Sequence, residues 1–474
     1  MRLTRNVQNS AGVLPATAFV LLLFLASLVF AVPAAKAAAP VVIYVSPQGS
    51  DSTGTGSGAS PYATISHALK VAPSGSTVMV GPGTYAGELI VVTTHLTLRA
   101  MSSQPYNTII NATGMPNGIA VVGAAAAGTI IEGFTVENAN NHGIYVQDSS
   151  DVIIENNVVA NNGANVIPGL GEDKAIQLTG VSNSTVAGNT VVTNFYGGIG
   201  VADDGPIAPS WNNTAVPNAG IPAQLALPAN GNLISGNFIY ENKPNHCAIV
   251  VSSYNQGEGV KNNIMSGNLI VDNQNGIIIA ADTPNTDASF NTVINNNVLN
   301  NGEGGVVVHS NAPGDVVVGN LITGNIFNAN GYLPTLEGII LGGEGPVAVR
   351  NTTVTNNTFE NEVVGVQVVN AKGNFVGGNT MEATVKIPYN GTVTNIGASP
   401  GATSVQTTTA SVTVTATPTS VVSVTAPPAP TGNSTSGGLT FTVALVTAVC
   451  TLIVGLIIGI VVRPLVIERQ HDRE

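Results

Sequence analysis

Two short patterns that alternate along the middle of the chain constrain its fold more than any other feature. The first is an asparagine followed by two strand-forming residues, and it recurs at Asn157, Asn189, Asn237, Asn268, Asn297, Asn325, Asn357 and Asn379. The second is a small residue, then Ile or Val, any residue and an apolar residue, and it begins at Gly143, Ala175, Gly198, Ala248, Gly276, Gly305, Gly338 and Gly365. Two patterns that share one period predict a repeat architecture.

The residues inside each repeat predict strands. Short β-branched runs alternate with period 2 and are separated by Asn, Gly and Ser, with no room for a helix of ten residues. A unit of this kind fits one coil of a parallel β-helix, an all-β solenoid in which Ile144, Ile176 and Ile199 would stack into a continuous core. Asparagine suits the turns because it tolerates left-handed geometry and can hydrogen-bond to its copy one coil above.

Composition excludes several classes of protein. Charged residues make up only 8% of the chain, and Asp and Glu outnumber Lys and Arg by 26 to 14. Without a basic surface the chain is not expected to bind nucleic acid, and its 44% hydrophobic residues argue against disorder. The mean hydropathy of +0.30 would suit a membrane protein with many spans, but the repeat accounts for most of the apolar residues.

The first 37 residues predict a signal peptide. Arg2 and Arg5 precede an apolar stretch over residues 13–32, and small residues suited to signal peptidase follow at Ala35 and Ala37. An uncleaved membrane anchor is the alternative interpretation of the same stretch. Either interpretation predicts export of the chain.

The C-terminal residues predict a membrane anchor. Residues 439–462 carry no charge and can cross a bilayer, although a buried core helix is the alternative. Arg463, Arg469 and Arg473 follow this segment, whereas residues 399–438 directly before it contain no Lys or Arg. This asymmetry predicts a cytoplasmic tail over residues 463–474 and an extracellular location for everything before residue 439. Residues 399–438 are uncharged and rich in Ser, Thr and Pro, as is typical of an extended stalk. We therefore expect a single-pass protein of the cell membrane.

Two further features concern an exported chain. Cys450 falls in the predicted membrane segment, so Cys247 has no partner for an intramolecular disulfide outside it. Asn-x-Ser/Thr sequons predict glycosylation at Asn111, Asn183, Asn212, Asn351, Asn356, Asn390 and Asn433.

The start of the mature chain resembles a known family. The stretches Tyr44-Val-Ser-Pro-Gln-Gly-Ser-Asp51, Thr64-Ile-Ser-His-Ala-Leu69 and Gly81-Pro-Gly-Thr-Tyr85 are similar to the opening of secreted right-handed parallel β-helix proteins of the pectin-lyase-like superfamily. The resemblance implies that the second stretch is a short helix capping the core and that the third closes the first coil. It implies a cap and first coils over residues 38–130 and β-helix repeats over residues 131–398. The superfamily contains lyases, hydrolases, epimerases and non-catalytic surface proteins.

One position of the repeat suggests a catalytic site. The residue before the small residue is His142 in one coil and Lys174 in the next, so the two would be neighbours. A base, a cation and a carboxylate are the groups that uronate chemistry requires, and Asp203 lies at a strand end of the same face. We therefore predict catalytic roles for His142, Lys174 and Asp203. The predicted substrate-binding residues are Tyr145, Gln177, Asp204 and Trp211, the last within an insertion over residues 203–232.

Calcium is the one cofactor that the sequence suggests. Asp148, Asp203 and Asp204 could supply oxygen ligands, although no fixed spacing such as that of an EF-hand supports the site. Two functions follow. One is a non-catalytic cell-envelope protein that binds polysaccharide or envelope proteins, and the other is a polysaccharide lyase, C5-epimerase or glycoside hydrolase. The absence of a complete catalytic signature favours the first.

Overall fold

The fold is described by a computed structural model. It describes residues 41–87, 89–164, 174–203, 225–242, 247–331, 337–342, 349–391, 393–394 and 407–408. These residues belong to one compact unit within residues 1–414. The predicted signal peptide, membrane segment and tail lie outside the described residues, as does the predicted stalk apart from residues 407–408. Within the described ranges, no helix is both long and apolar enough to span a membrane.

Three long sheets wind together as a parallel β-helix, and each full coil contributes one strand to each sheet in the order A, B, C. The strands of sheet A are Val42–Val45, Thr77–Val80, Thr97–Ala100, Ile130–Glu132, Ile153–Glu155, Thr185–Ala187, Leu233–Ser235, Ile264–Ser266, Thr292–Ile294, Leu321–Thr323, Thr353–Thr355, Phe375–Gly377, Val393–Thr394 and Thr407–Thr408. Only the last two of these pair in antiparallel fashion.

Sheets B and C each contain eleven strands. Sheet B consists of Gly83–Ala86, Thr108–Asn111, Thr135–Glu137, Val158–Ala160, Thr190–Val192, Phe238–Tyr240, Leu269–Val271, Asn297–Leu299, Ile326–Asn328, Thr358–Glu360 and Thr380–Met381. Sheet C consists of Leu89–Val91, Asn117–Val122, His142–Gln147, Ile176–Thr179, Ile199–Ala202, Cys247–Ser253, Asn275–Ala281, Val306–Ser310, Glu337–Gly342, Val364–Val369 and Ile387–Asn390. Val317–Val318 pairs with Val349–Arg350 outside these sheets.

One short helix, α1 (Ile65–Val71), covers the N-terminal end of the core, where the family resemblance places a cap. It begins after Thr64, whose hydroxyl accepts a hydrogen bond from the backbone N–H of His67, and it buries Ile65 and Leu69 against the first coils. Two 3₁₀ turns, Pro105–Asn107 and Ala124–Ala126, complete the helical structure of the described residues.

The predicted inward residues form the core. Ile144 pairs with Ile176, which pairs with Ile199, and the row continues through Ile249, all with no exposed surface. This in-register stacking of apolar side chains replaces the single compact core of a globular domain.

The small residue of the second pattern is explained by the corner between sheets B and C. A Cβ atom on Gly305 would lie 2.5 Å from Cδ1 of Phe327, and one on Gly338 would lie 2.6 Å from Cδ1 of Phe359. Because these distances are far below van der Waals contact, only a very small residue fits where the strand enters sheet C.

Buried asparagines form ladders at the turns, as the sequence predicted. The backbone N–H and the Nδ2 of Asn237 both donate to Oδ1 of Asn268 at 3.0 Å, and the same Nδ2 donates to the carbonyl of Val186 on the preceding coil. The ladder that precedes sheet B contains Asn157, Asn189, Asn237, Asn268, Asn296, Asn325, Asn357 and Asn379. The predicted assignment of Asn297 is thus wrong by one residue.

Two further ladders lie five residues to either side of the first. The ladder after sheet B contains Asn162, Asn194, Asn242, Asn273, Asn301 and Asn330, and it ends at Glu362. The ladder before sheet A contains Ser184, Asn232, Asn263, Asn291 and Asn320. A residue in the left-handed conformation often precedes the ladder position, for example Asn156 with φ 56° and Asn295 with φ 57°.

Candidate functional site

Polar side chains are buried on the outer face of sheet C in its early coils. His142 begins one strand, and Lys174 lies beside it on the next coil because Ile144 pairs with Ile176. The exposed fraction is 7% for His142 and 1% for Lys174. We call this group the sheet C cluster, and it consists of His142, Tyr145, Gln147, Asp148, Lys174 and Gln177.

The imidazole of His142 is held by two neighbours. Its Nδ1 lies 2.8 Å from the backbone carbonyl oxygen of Lys174, and its ring stacks on Tyr145 with centroids 4.8 Å apart and planes within 10°. Because a carbonyl oxygen only accepts hydrogen bonds, Nδ1 carries the proton. The lone pair of the neutral ring, and hence its basic site, is therefore at Nε2.

A chain of hydrogen bonds runs from Tyr145 to the end of the strand. The hydroxyl of Tyr145 donates to Oε1 of Gln147 at 3.1 Å, and Nε2 of Gln147 donates to Oδ2 of Asp148 at 3.1 Å. The backbone N–H of Leu225 also donates to this carboxylate. Burial raises the pKa of Asp148, against the opposing effect of the bonds from Leu225 and Gln147. Gln147 was not predicted from the sequence, although it lies two residues after Tyr145 on the same face.

Gly200 provides the space for two members of the cluster. A Cβ atom at Gly200 would lie 2.1 Å from Oε1 of Gln177 and 2.8 Å from Cγ of Lys174. Gln177 in turn donates to the hydroxyl of Thr179 at 3.2 Å. Sequence reasoning missed Gly200, and the available signal was a glycine at the variable position of the pattern Gly198-Ile-Gly-Val.

The structure places Asp203 away from His142 and Lys174. Asp203 follows the C-terminal end of the strand Ile199–Ala202, level with Asp148. His142 lies at the N-terminal end of its strand, and therefore at the opposite edge of the outer face of sheet C. Six residues separate the level of His142 from that of Asp148, which is roughly 20 Å along a strand at about 3.3 Å per residue. The three predicted catalytic residues therefore do not form one constellation.

The carboxylate of Asp203 links two coils. Its Oδ2 accepts from the hydroxyl of Ser253 at 2.7 Å, and its Oδ1 accepts from the backbone N–H groups of Tyr254 at 2.6 Å and Asn255 at 3.2 Å. Burial raises the pKa of Asp203, while these hydrogen bonds lower it. Ser253, Tyr254 and Asn255 all lie on the following coil, so these hydrogen bonds join one coil to the next.

The predicted calcium ligands are not assembled either. The carboxylate of Asp203 turns toward Ser253 on the following coil, whereas Asp148 lies on the other side, two coils away. Among the described residues, no group of three or more His, Cys, Asp or Glu side chains could hold a metal ion. Asp204 and Trp211 lie outside the described residues.

The predicted glycosylation sites differ in exposure. Asn183, Asn351, Asn356 and Asn390 are exposed, and Asn111 is partly buried with its Oδ1 accepting from the hydroxyl of Thr113. Asn212 and Asn433 lie outside the described residues. Glycosylation at these positions stays a prediction.

Comparisons with known proteins agree with this fold. Residues 94–219 match a family model described as a right handed beta helix region, and residues 47–90 match one described as a protein of unknown function. No curated protein matches the chain. The resemblance to right-handed β-helix proteins of the pectin-lyase-like superfamily is confirmed at the level of the fold.

Three solved structures illustrate the range of similar proteins. An alginate lyase from Paenibacillus is 16% identical, with a TM-score of 0.40, over 70% of this chain and 96% of its own. The A-module of a mannuronan C-5 epimerase from Azotobacter vinelandii is 17% identical, with a TM-score of 0.47, over 70% and 92%. PfbA, a surface adhesin of Streptococcus pneumoniae, is 12% identical, with a TM-score of 0.44, over 70% and 87%.

Proposed function

We propose that this protein is a non-catalytic cell-surface protein whose β-helix binds extracellular glycan. The observation that carries the proposal is the burial of the predicted catalytic groups, since His142 is 7% and Lys174 1% exposed. A general base must come within hydrogen-bond reach of the proton it removes, and a polymeric substrate does not reach a side chain in this state. The same two residues have a structural role, because their hydrogen bond joins successive coils.

The position of Asp203 supports the same proposal. Its carboxylate is engaged by Ser253, Tyr254 and Asn255 at the far end of sheet C. Acid–base catalysis by His142 and Lys174 would therefore proceed without the carboxylate that the sequence suggested for them.

The proposal includes attachment to the membrane. Residues 439–462 would form the single span, with residues 399–438 as a stalk and residues 463–474 in the cytoplasm. Protease treatment of intact cells tests this topology. We expect it to release the β-helix and to leave a C-terminal tag on residues 463–474 protected, whereas digestion of the tag would contradict the proposal.

A polysaccharide-processing enzyme is the second candidate. The observation in its favour is the tautomer of His142, which places a basic Nε2 in the same cluster as Lys174 and Tyr145. A lyase or C5-epimerase needs such a base together with a cation or another group that stabilises the intermediate, and a glycoside hydrolase needs acidic groups.

One experiment separates the two candidates. The full chain in detergent is incubated with alginate and with polygalacturonate, with and without Ca²⁺, while unsaturated products, reducing ends and C5 configuration are monitored. We expect no product of any kind. Products that vanish in Lys174→Ala and persist in Lys261→Ala, a half-buried lysine paired with Asp287 at 2.9 Å, would establish the enzyme instead.

A further inference from the structure

The outer face of sheet B carries an apolar patch that the core does not require. In its three-residue strands the middle residue points inward, as Ile239, Ile270 and Val298 do, and the first and third residues point outward. On four successive coils the outward residues include six apolar side chains of intermediate exposure. We call them the sheet B platform, and they are Val192, Phe238, Tyr240, Leu269, Val271 and Leu299.

Two aromatic rings lie at the centre of this platform. Phe238 and Tyr240 are parallel within 9°, and their ring centroids are 5.9 Å apart. Both are fixed on one strand of a continuous sheet, between Val192 on the preceding coil and Leu269 and Val271 on the next. Side chains mounted on a rigid sheet keep their geometry before a ligand arrives, which reduces the entropy lost on binding.

Carboxylates border the platform on one side. Glu241 directly follows Tyr240, and Asp272 directly follows Val271 on the next coil, where Asn300 donates a hydrogen bond to it. Burial raises the pKa of the Tyr240 hydroxyl, and the charges of Glu241 and Asp272 raise it further, so both carboxylates act on this ring. The border thus accepts hydrogen bonds and repels anions.

We propose that the sheet B platform binds a neutral polysaccharide, with sugar rings packed on Phe238 and Tyr240 and sugar hydroxyls donating to Glu241 and Asp272. The proposal rests on the glycan-binding function proposed above and names its surface and ligand class. Apolar and aromatic surface with a few well-placed polar groups is the usual composition of a small-molecule site. Polyuronates do not fit, because the acidic border and the net charge of −12 repel them.

The size of the platform also favours a sugar chain over a protein partner. Each partner in a stable protein complex typically buries about 800 Å². Six side chains that are already mostly buried in the sheet offer much less than this. A sugar chain can bind through a few rings packed on aromatic side chains, and the successive coils of sheet B allow it to extend along the face.

The test measures binding of the full chain in detergent to cellohexaose and mannohexaose as neutral probes, with hexagalacturonate as the anionic probe. We expect binding of a neutral probe, at least tenfold weaker in Phe238→Ala and in Tyr240→Ala. Tyr240→Phe, which keeps the ring, should lose less. The control is Phe375→Ala, which removes a half-buried outward aromatic from sheet A and should change the Kd less than twofold. Unchanged melting temperatures establish that the variants fold.

Three other outcomes of the binding experiment would each contradict a specific part of the proposal. If the wild-type chain binds a neutral probe and both alanine variants bind equally well, the platform is wrong while the glycan-binding function stands. If only hexagalacturonate binds, the assignment of a neutral ligand is wrong. If no probe binds, the glycan-binding function falls and the platform with it.

Discussion

The Nδ1–H of His142 donates a hydrogen bond of 2.8 Å to the backbone carbonyl oxygen of Lys174 on the following coil. A side chain on the outer face of sheet C therefore satisfies a backbone acceptor on the neighbouring coil. Burial of both residues makes this bond costly to lose, because a buried acceptor without a partner carries its full desolvation penalty. His142 and Lys174 therefore help to join successive coils whether or not they take part in catalysis.

Replacing His142 by Ala should destabilise the fold. The variant loses the bond to Lys174 and the stacking on Tyr145, which together are worth about 2 to 4 kcal/mol. Urea unfolding followed by circular dichroism measures the change. His309→Ala is the matched control, since this half-buried ring bonds to the exposed side chain of Asn311, and it should cost less than about 1 kcal/mol. Equal losses for the two variants would contradict a structural role for His142.

The sequence predicted the positions of these residues along the coils but not their burial. The repeat register assigned His142 and Lys174 to successive coils, because each directly precedes the small residue of the second pattern and equivalent residues of successive coils stack in register. The sequence also placed Asp203 at a strand end, six residues beyond the level of Lys174, so the separation of roughly 20 Å at about 3.3 Å per residue could have been predicted as well. The sequence gave no signal for burial on the outer face of sheet C, because burial depends on packing by residues distant along the chain.

Neighbouring asparagines should respond differently to the same substitution. Asn296 is buried in the ladder, where its Oδ1 accepts from the backbone N–H of Asn268 and its Nδ2 donates to the carbonyl of Met265. Asn296→Ala leaves these groups unsatisfied and should cost about 2 to 4 kcal/mol of unfolding free energy. Asn297→Ala changes an exposed strand residue and should cost less than about 0.5 kcal/mol. A larger loss of unfolding free energy for Asn297→Ala than for Asn296→Ala would show that Asn297 occupies the ladder position, as the sequence pattern predicted.

Adjacent glycines provide a test of the corner between sheets B and C. A Cβ atom at Gly305 would meet Cδ1 of Phe327 and the carbonyl of Gly338, each at 2.5 Å, and the backbone carbonyl has little freedom to move. Gly305→Ala should therefore lower the unfolding free energy by about 1 to 3 kcal/mol. At Gly304 the nearest atom lies 3.3 Å away, at the tip of the Val307 side chain, so Gly304→Ala should be tolerated. Similar melting temperatures for the two variants would show that the corner can accommodate a Cβ atom at Gly305.

The fold was more predictable than the site because its determinants are local. Asn232, Asn237 and Asn242 are five residues apart, and the same spacing recurs at Asn263, Asn268 and Asn273, so one coil can be read from its turns. The first pattern captured only one of these three ladders. The ambiguity at residues 295–297, where three asparagines follow one another, arose because composition alone does not say which of them points inward.

The asparagine ladder after sheet B ends at the carboxyl group of Glu362 in place of an amide. Glu362 lies five residues after Asn357, where the ladder position falls, and it is 1% exposed. The backbone N–H and the Nδ2 of Asn330 donate to its carboxyl oxygens at 3.1 and 2.9 Å. Burial raises the pKa of Glu362 to about 7, assisted by the charge of Glu337 and opposed by the bonds from Asn330.

Glu362 should therefore make stability depend on pH in the neutral range. Its folded pKa of about 7 lies above the ordinary value of 4.5, so the folded protein holds a proton that the unfolded chain releases. Stability should fall as pH rises from 4.5 to 7, by a total on the order of 3 kcal/mol, and level off above. Glu362→Gln keeps an acceptor for Asn330 but cannot ionise, so this part of the pH dependence should disappear. The measurement is urea unfolding of both proteins from pH 4.5 to 8.5. Since all other groups titrate in both, a difference between them that stays constant with pH would refute the raised pKa.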